Sequence, residues 1–313
     1  MAHPLLRTAA TAGVLLLATA AHAAPPPPPV IGGTISDPGE FPGVGALMYD
    51  AGGGTRQFGC TGTLIAPDVV LTAAHCLDPN LVGPEVPGFT LAQDANAAGI
   101  TIVDGRMKVP HPMFDINGGV ASGLGQFFDV GLLFLAQPIT EVAPVPMPRP
   151  EDAAELVAGL ELELAGYGLI EVNGQDGGVM YDAKTSLVSL NDTEIQVGMG
   201  SPQPQNCNGD SGGPGFAVVG GQRRVVGVVS RSFSGFECTM GGVDTRVDAY
   251  TDWIHAQVPT GIPCGSGLSP ACPAYEEDSG GCCSTGSTQA PGAVGLGLAV
   301  AALIGRRRRR TAR

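Results

Sequence analysis

Between residues 30 and 247 the apolar residues come in short runs that Gly, Pro, Asn and Asp repeatedly interrupt. Thr61–Ile65, Val69–Thr72, Val130–Leu135, Leu160–Leu164 and Arg224–Ser230 are examples. Leu160-Glu-Leu-Glu-Leu164 alternates strictly, as a strand with one buried face must. Short strands at such spacing, with turn residues between them, predict an all-β sandwich or barrel. Composition agrees: 48 glycines and 27 prolines suit turns, only 14% of residues are charged, and a 43% hydrophobic fraction over 313 residues fills a sizeable core. The exception is Val247–Val258, where Tyr250, Trp253, Ile254 and Val258 fall at helical spacing. No internal repeat is visible.

The two ends read differently from this middle. Arg7, the apolar run 12–20 and Ala21-His22-Ala23 form the three parts of a secretory signal, expected to be residues 1–23. The apolar run is too short to remain as a membrane span. Residues 24–29 are a Pro-rich propeptide that prefers an extended, solvated form. It runs directly into Val30-Ile-Gly-Gly33, which reads either as an edge strand or as a new N-terminus released by cutting. Residues 259–292 lose periodicity and read as a Cys-, Gly-, Ser- and Pro-rich linker with a small Cys264–Cys272 loop. Residues 293–304 are apolar and Arg306–Arg310 follow. That run falls short of the ~20 residues of a spanning helix, although flanking residues and snorkelling arginines extend it. The arginines would keep the C-terminal end cytoplasmic.

Export permits disulfides, and the eight cysteines are an even set whose connectivity the count leaves open. No Cys or His spacing suggests zinc, and no metal is expected. Residues 30–258 hold nine basic and 26 acidic residues, a charge of −17. A field of that sign repels nucleic acid and anionic lipid, so neither is an expected partner; its plain reading is solubility.

Three separated motifs carry chemistry. Thr72-Ala-Ala-His-Cys76 puts His75 at the end of an apolar strand; alone, such a histidine is more often structural. Phe127-Phe-Asp-Val-Gly131 sets Asp129 among apolar residues, where a carboxylate needs a donor or serves as a local cap. Cys207-Asn-Gly-Asp-Ser-Gly-Gly-Pro214 is a Gly-rich turn holding Ser211 beside Asp210. By itself it reads as a hairpin turn or a phosphate loop, and no helix pattern follows to favour phosphate. Together they offer a base, an acid to orient it, and a hydroxyl that is a weak nucleophile until a base takes its proton. His3 and His22 lie in the signal, His111 precedes a proline and His255 is on the late helix, which leaves His75 as the clear candidate for a base.

With VIGG at 30–33, TAAHC at 72–76, DVGLLFL at 129–135, AGYG at 165–168, GDSGGP at 209–214, VVS at 228–230 and Asp252-Trp253-Ile254, the chain resembles the trypsin/chymotrypsin-like serine proteases over about residues 30–258. The resemblance implies two six-stranded antiparallel barrels with a cleft between them, a boundary near 136–150 and a short C-terminal helix. It implies Ser211 as nucleophile, His75 as base, Asp129 as orienting acid and the Gly209 and Ser211 N–H groups as oxyanion hole. It also implies Cys60–Cys76 and Cys207–Cys238 disulfides, and activation by a cut that lets the Val30 amine pair with Asp210. Pro29 stands where such a family carries Arg or Lys, so either another activating protease trims the Pro run or the propeptide is handled differently. Counting six back from Ser211 puts Gln205 at the pocket base, with Ser230, Arg231 and Ser232 at its entrance and Gly242 opposite. A neutral amide there implies an uncharged residue before the cut bond. The implied partners are a protein or peptide substrate, on a monomer without cofactor. Cys282-Cys283, the apolar run and the arginines resemble MYXO-CTERM sorting tails of myxobacterial surface proteins, which implies a tail-processing enzyme and membrane contact only through the tail. From a different class, a catalytically inactive homologue acting as a surface binding module is the alternative.

Overall fold

The computed structural model describes residues 29–118, 122–168, 177–200, 203–206, 208–235, 238 and 240–258. The signal, most of the propeptide, Cys207, the Cys264–Cys272 loop, Cys282, Cys283 and the C-terminal tail lie outside the described residues. Among the described residues the regular structure is almost wholly antiparallel β.

A first sheet holds β2 (Val44–Gly52), β3 (Thr55–Ala66), β4 (Val69–Thr72), β5 (Gly88–Thr90), β6 (Gly105–Pro110) and β7 (Gly131–Leu135), in the order β5-β2-β3-β4-β7-β6. A bridge between Phe89 and Val103 links β5 to the segment that enters β6. The second sheet holds β1 (Thr34–Ile35), β8 (Glu161–Gly166), β9 (Tyr181–Leu190), β10 (Glu194–Val197), β11 (Pro214–Val219), β12 (Gln222–Ser232) and β13 (Gly242–Arg246). Its order is β1-β9-β10-β13-β12-β11-β8, and β8 also pairs with β9, which closes six strands into a barrel. The two-residue β1 is a seventh strand beyond the expected six: Thr34 pairs with Asp182, so β1 joins the second barrel ahead of the strands that build the first.

The first sheet, joined end to end by the single Phe89–Val103 bridge, forms a half-barrel as the first barrel, while the second closes fully; alternation decides which residues fill both. On β8, Leu162 and Leu164 are buried while Glu161 is exposed. Burying each such leucine is worth about 1.5–3 kcal/mol. One core cluster gathers Leu47, Leu64, Leu71 and Leu132 of the first sheet with Phe216, Val228 and Ile254, so it spans both barrels. A second cluster, with Leu162, Leu164, Leu187, Ile195 and Val226, belongs to the second barrel and includes Val30. The late helix runs Thr251–Gln257, with Ile254 buried as its spacing requires. Its Trp253 packs on His111, at a ring separation of 4.8 Å. Among the described residues no helix is long and apolar enough to cross a membrane.

Candidate active site

The β4–β7 pairing delivers two of the site residues together. Thr72 ends β4 opposite Gly131, which begins β7. The residues just after β4 and just before β7 therefore leave the same end of the sheet side by side. His75 N–H donates to Asp129 Oδ1 at 2.9 Å, and its ring Nδ1 lies 2.8 Å from Asp129 Oδ2. Phe128 holds the preceding backbone at a φ of +55°, an uncommon conformation for a bulky residue. Its ring stacks on His111 at 5.2 Å, which over-determines that backbone. His111 is thereby structural, and burial holds its pKa below the ordinary value.

The second barrel completes the acid's surroundings. Ser230 Oγ donates to Asp129 Oδ2 at 2.7 Å, and Thr245 Oγ1 donates to the Asp129 carbonyl at 2.9 Å. Burial alone would raise the Asp129 pKa, but the nearby His75 charge and the bonds from His75 and Ser230 hold it below the usual carboxylate range. Burial alone would lower that of His75, and attraction to Asp129 overrides it, raising the imidazole above its ordinary value.

Ser211 sits on the turn before β11, pressed backbone-first against the first sheet. Thr61 N–H donates to the Ser211 carbonyl at 2.8 Å, and Cys76 Sγ lies 3.7 Å from the same oxygen. Gly212, at φ +79°, has no room for a side chain: a Cβ would lie 2.0 Å from Thr72 Oγ1. Thr61 Oγ1 also donates to the Gly209 carbonyl and accepts from Tyr167 N–H, each at 3.1 Å. The serine turn is thus seated on the strand ends that carry His75. The Cys60–Cys76 disulfide forms at a Cα separation of 6.2 Å. Cys60, His75 and Cys76 bring three ligand-type atoms within 4.8 Å, but the two sulfurs are bonded to each other and offer no thiolate to a metal.

Compared with known protein families, residues 30–254 match the one described as Trypsin. The chain belongs to the trypsin family. Chymotrypsin-like elastase family member 1 of Canis lupus familiaris is 32% identical over 243 residues, covering 72% of this chain and 91% of that protein. The Homo sapiens protein of the same name is 32% identical over 244 residues, with the same coverage of both chains. Phenoloxidase-activating factor 3 of Holotrichia diomphalia is 29% identical over 268 residues, covering 73% of this chain and 72% of its own.

Beside Ser211 a cavity of about 200 Å³ is lined by Asn206, Ser230, Arg231, Ser232 and Cys238, among others. Ser230 thus serves both the cavity and Asp129. Gln205, expected at the pocket base, is fully buried and is not among the lining residues. Its amide is spent on the backbone, donating to the Cys238 carbonyl and accepting from Gly241 N–H, so its neighbour Asn206 faces the cavity instead. Gly242 is not a lining residue either but lies directly under Asn206 Oδ1. Arg231 brings no free charge: Glu194 holds its guanidinium at 2.7 and 2.9 Å, and it lies over the Phe127 ring at 5.2 Å. Cys238 is disulfide-bonded, while Cys207 is outside the described residues.

Asp210 is buried, and its Oδ1 accepts from Gly168 N–H at 3.0 Å. Val30 is buried in the second-barrel cluster at a φ of +42°, strained for a β-branched residue, with its nitrogen in the peptide bond to Pro29. Sequence reading alone missed Thr61, Thr245, Asn206 and Asp244. Thr61, Thr245 and Asn206 occupy strands or a loop where their residue types are ordinary, and Asp244 reads as an outward-facing acid on a short strand, so no local signal set them apart.

Proposed function

We propose that this member of the trypsin family is a serine endopeptidase acting through Ser211, His75 and Asp129. The observation that carries the reading is the double contact of His75 with the buried Asp129, made where the serine turn is seated. With Nδ1 held by an ionised carboxylate, His75 presents Nε2 as the free base. Nε2 takes the Ser211 proton as Oγ attacks the substrate carbonyl carbon. The resulting oxyanion lies against the Gly209 and Ser211 N–H groups, where one donor is worth roughly 3–4 kcal/mol. His75 then protonates the departing amine, leaving an acyl-enzyme that water hydrolyses by the same steps.

The remaining assignments belong to the same proposal. Cutting before Val30 frees its amine to pair with Asp210 and relieves the strain at Val30; with Pro29 before the bond, the activator is not trypsin-like. Cys207 is the partner of Cys238. The residue accepted before the cut bond is uncharged, because the Arg231 charge is already cancelled by Glu194 and the amide that faces the cavity, Asn206, is neutral. The protein is exported as a monomer, processed at its tail, and either released or retained at the surface. The elastase and activating-factor names of the relatives support a protein substrate.

Labelling of the exported protein by a fluorophosphonate probe tests this reading. The expected result is labelling that Ser211→Ala abolishes. If labelling is absent even after residues 24–29 are removed, the inactive binding homologue is the correct reading.

A further inference from the structure

Asn206 and Asp244 form a buried pair at the cavity that the catalytic roles leave unused. Asn206 lines the cavity beside Ser211, and its Nδ2 donates to Asp244 Oδ1 at 2.6 Å. Asp244, on β13, is fully buried. With its nitrogen committed, the Asn206 amide stands with Oδ1 over Gly242, where a Cβ would lie 1.6 Å from that oxygen. Only glycine at 242 leaves the amide this position. The other Asp244 oxygen, Oδ2, is buried without a hydrogen-bond partner among the described residues. It lies over the backbone of Gly215 and Gly227, 2.7 Å from where a Cβ on either would stand. Such a half-satisfied carboxyl has the capacity for one more donor.

We infer that this pair sets the residue accepted before the cut bond: Asn206 covers the Asp244 carboxyl and offers Oδ1 to an uncharged donor such as the side chain of Gln, Asn, Ser or Thr. The inference rests on the proposed function in taking the cavity beside Ser211 as the place where that residue enters. Lysine and arginine are excluded because an amide screens the acid, not because an acid is missing. A neutral amide does not offset the desolvation of an ammonium or guanidinium, whereas a carboxylate in contact does. Burial pushes the Asp244 carboxyl up to about 7, with the Asn206 bond pulling it down and the Asp210 charge adding to the rise. Opening the site to solvent and to a cation would return it to the ionised form.

The test uses the exported full chain and Asn206→Gly, with Asn206→Ser as a milder form should glycine impair folding. Benzamidine binding, measured by calorimetry, probes the cavity with a cation and needs no hydrolysis. Matched peptides with Gln or Lys before the cut bond probe turnover. The wild type is expected to favour Gln over Lys by about tenfold in kcat/KM, the scale of one hydrogen bond. Asn206→Gly is expected to reverse that order and to bind benzamidine at least about tenfold more tightly. Adding Asp244→Asn should remove both gains. Equal benzamidine affinity in wild type and Asn206→Gly overturns the inference, as does a gain that survives Asp244→Asn. If benzamidine binding responds as expected while no fluorophosphonate labelling occurs, the pair stands and the endopeptidase reading fails.

Discussion

The two barrels bury different kinds of atoms. The first is filled with aliphatic side chains, and its buried polar residues are largely threonines: Thr61, Thr63, Thr72 and Thr90, with Asp129 at its edge. The second buries Asp152, Glu194, Asp210, Arg224 and Asp244 together with Gln205 and Asn206. A hydroxyl is satisfied by a neighbouring carbonyl, as Thr72 is by Thr61. A buried charge needs a dedicated partner, as Arg224 has in Asp152 at 3.2 Å. The first barrel thus works as a rigid frame that fixes His75 and Asp129. The second carries the serine turn and the cavity, and its buried charges leave it more sensitive to substitution and to pH.

The largest effect should come where the two meet. Asp129→Asn removes the charge that holds His75 in its tautomer, and kcat is expected to fall about 10⁴-fold while the folded structure persists. Steady-state hydrolysis together with thermal unfolding measures both halves of that statement. A smaller effect, confined to stability, is expected inside the second barrel. Asp152→Ala strands Arg224, whose side chain is only 5% exposed, and should destabilise by about 3–5 kcal/mol in denaturant unfolding. The first barrel's Arg106–Asp68 pair, with both side chains more than 40% exposed, is the contrast: Asp68→Ala should cost less than about 1 kcal/mol. Equal losses at the two sites would erase the distinction between the barrels.

Between those limits lies the Cys60–Cys76 bridge, which closes a 16-residue separation in the frame. Its removal by paired serine substitutions should lower stability by about 3 kcal/mol.

Asp244 sharpens the comparison through pH. Its folded pKa of about 7 lies above that of an unfolded aspartate, so the folded state binds the extra proton. Stability from this group is therefore full below the unfolded value and declines as pH rises through the folded one. Asp244→Asn should flatten the fall in Tm between about pH 4 and pH 7. A slope unchanged by the substitution would mean that Asp244 does not titrate in this range.

How much of this was legible in the sequence depends on how far apart the cooperating residues lie. The Leu160–Leu164 alternation, the helix around Ile254 and the motifs bearing His75, Asp129 and Ser211 are local patterns, and their elements form where the patterns fall. The Ser230–Asp129 and Thr245–Asp129 contacts join residues more than 100 positions apart, through register that no local pattern encodes. Gln205 shows the limit most clearly. Counting along the chain put it in the pocket, but two backbone groups on the facing loop claim its amide, and the next residue faces the cavity. Asp244 was equally hidden, because an acid in a short strand reads as an outward-facing residue until the sheet closes over it. The β1–β9 pairing brings together positions that only tertiary packing relates.

The central claim is that one barrel's histidine–aspartate pair activates the other barrel's serine. The most direct test is the pH dependence of fluorophosphonate labelling at Ser211, in the wild type and in Asp129→Asn. In the wild type the rate should fall on acidification through a pKa above the ordinary histidine value of about 6.5, because Asp129 raises His75. In Asp129→Asn the rate should collapse and the remaining inflection should move to lower pH. Labelling of equal rate and identical pH profile in both proteins would contradict the claim.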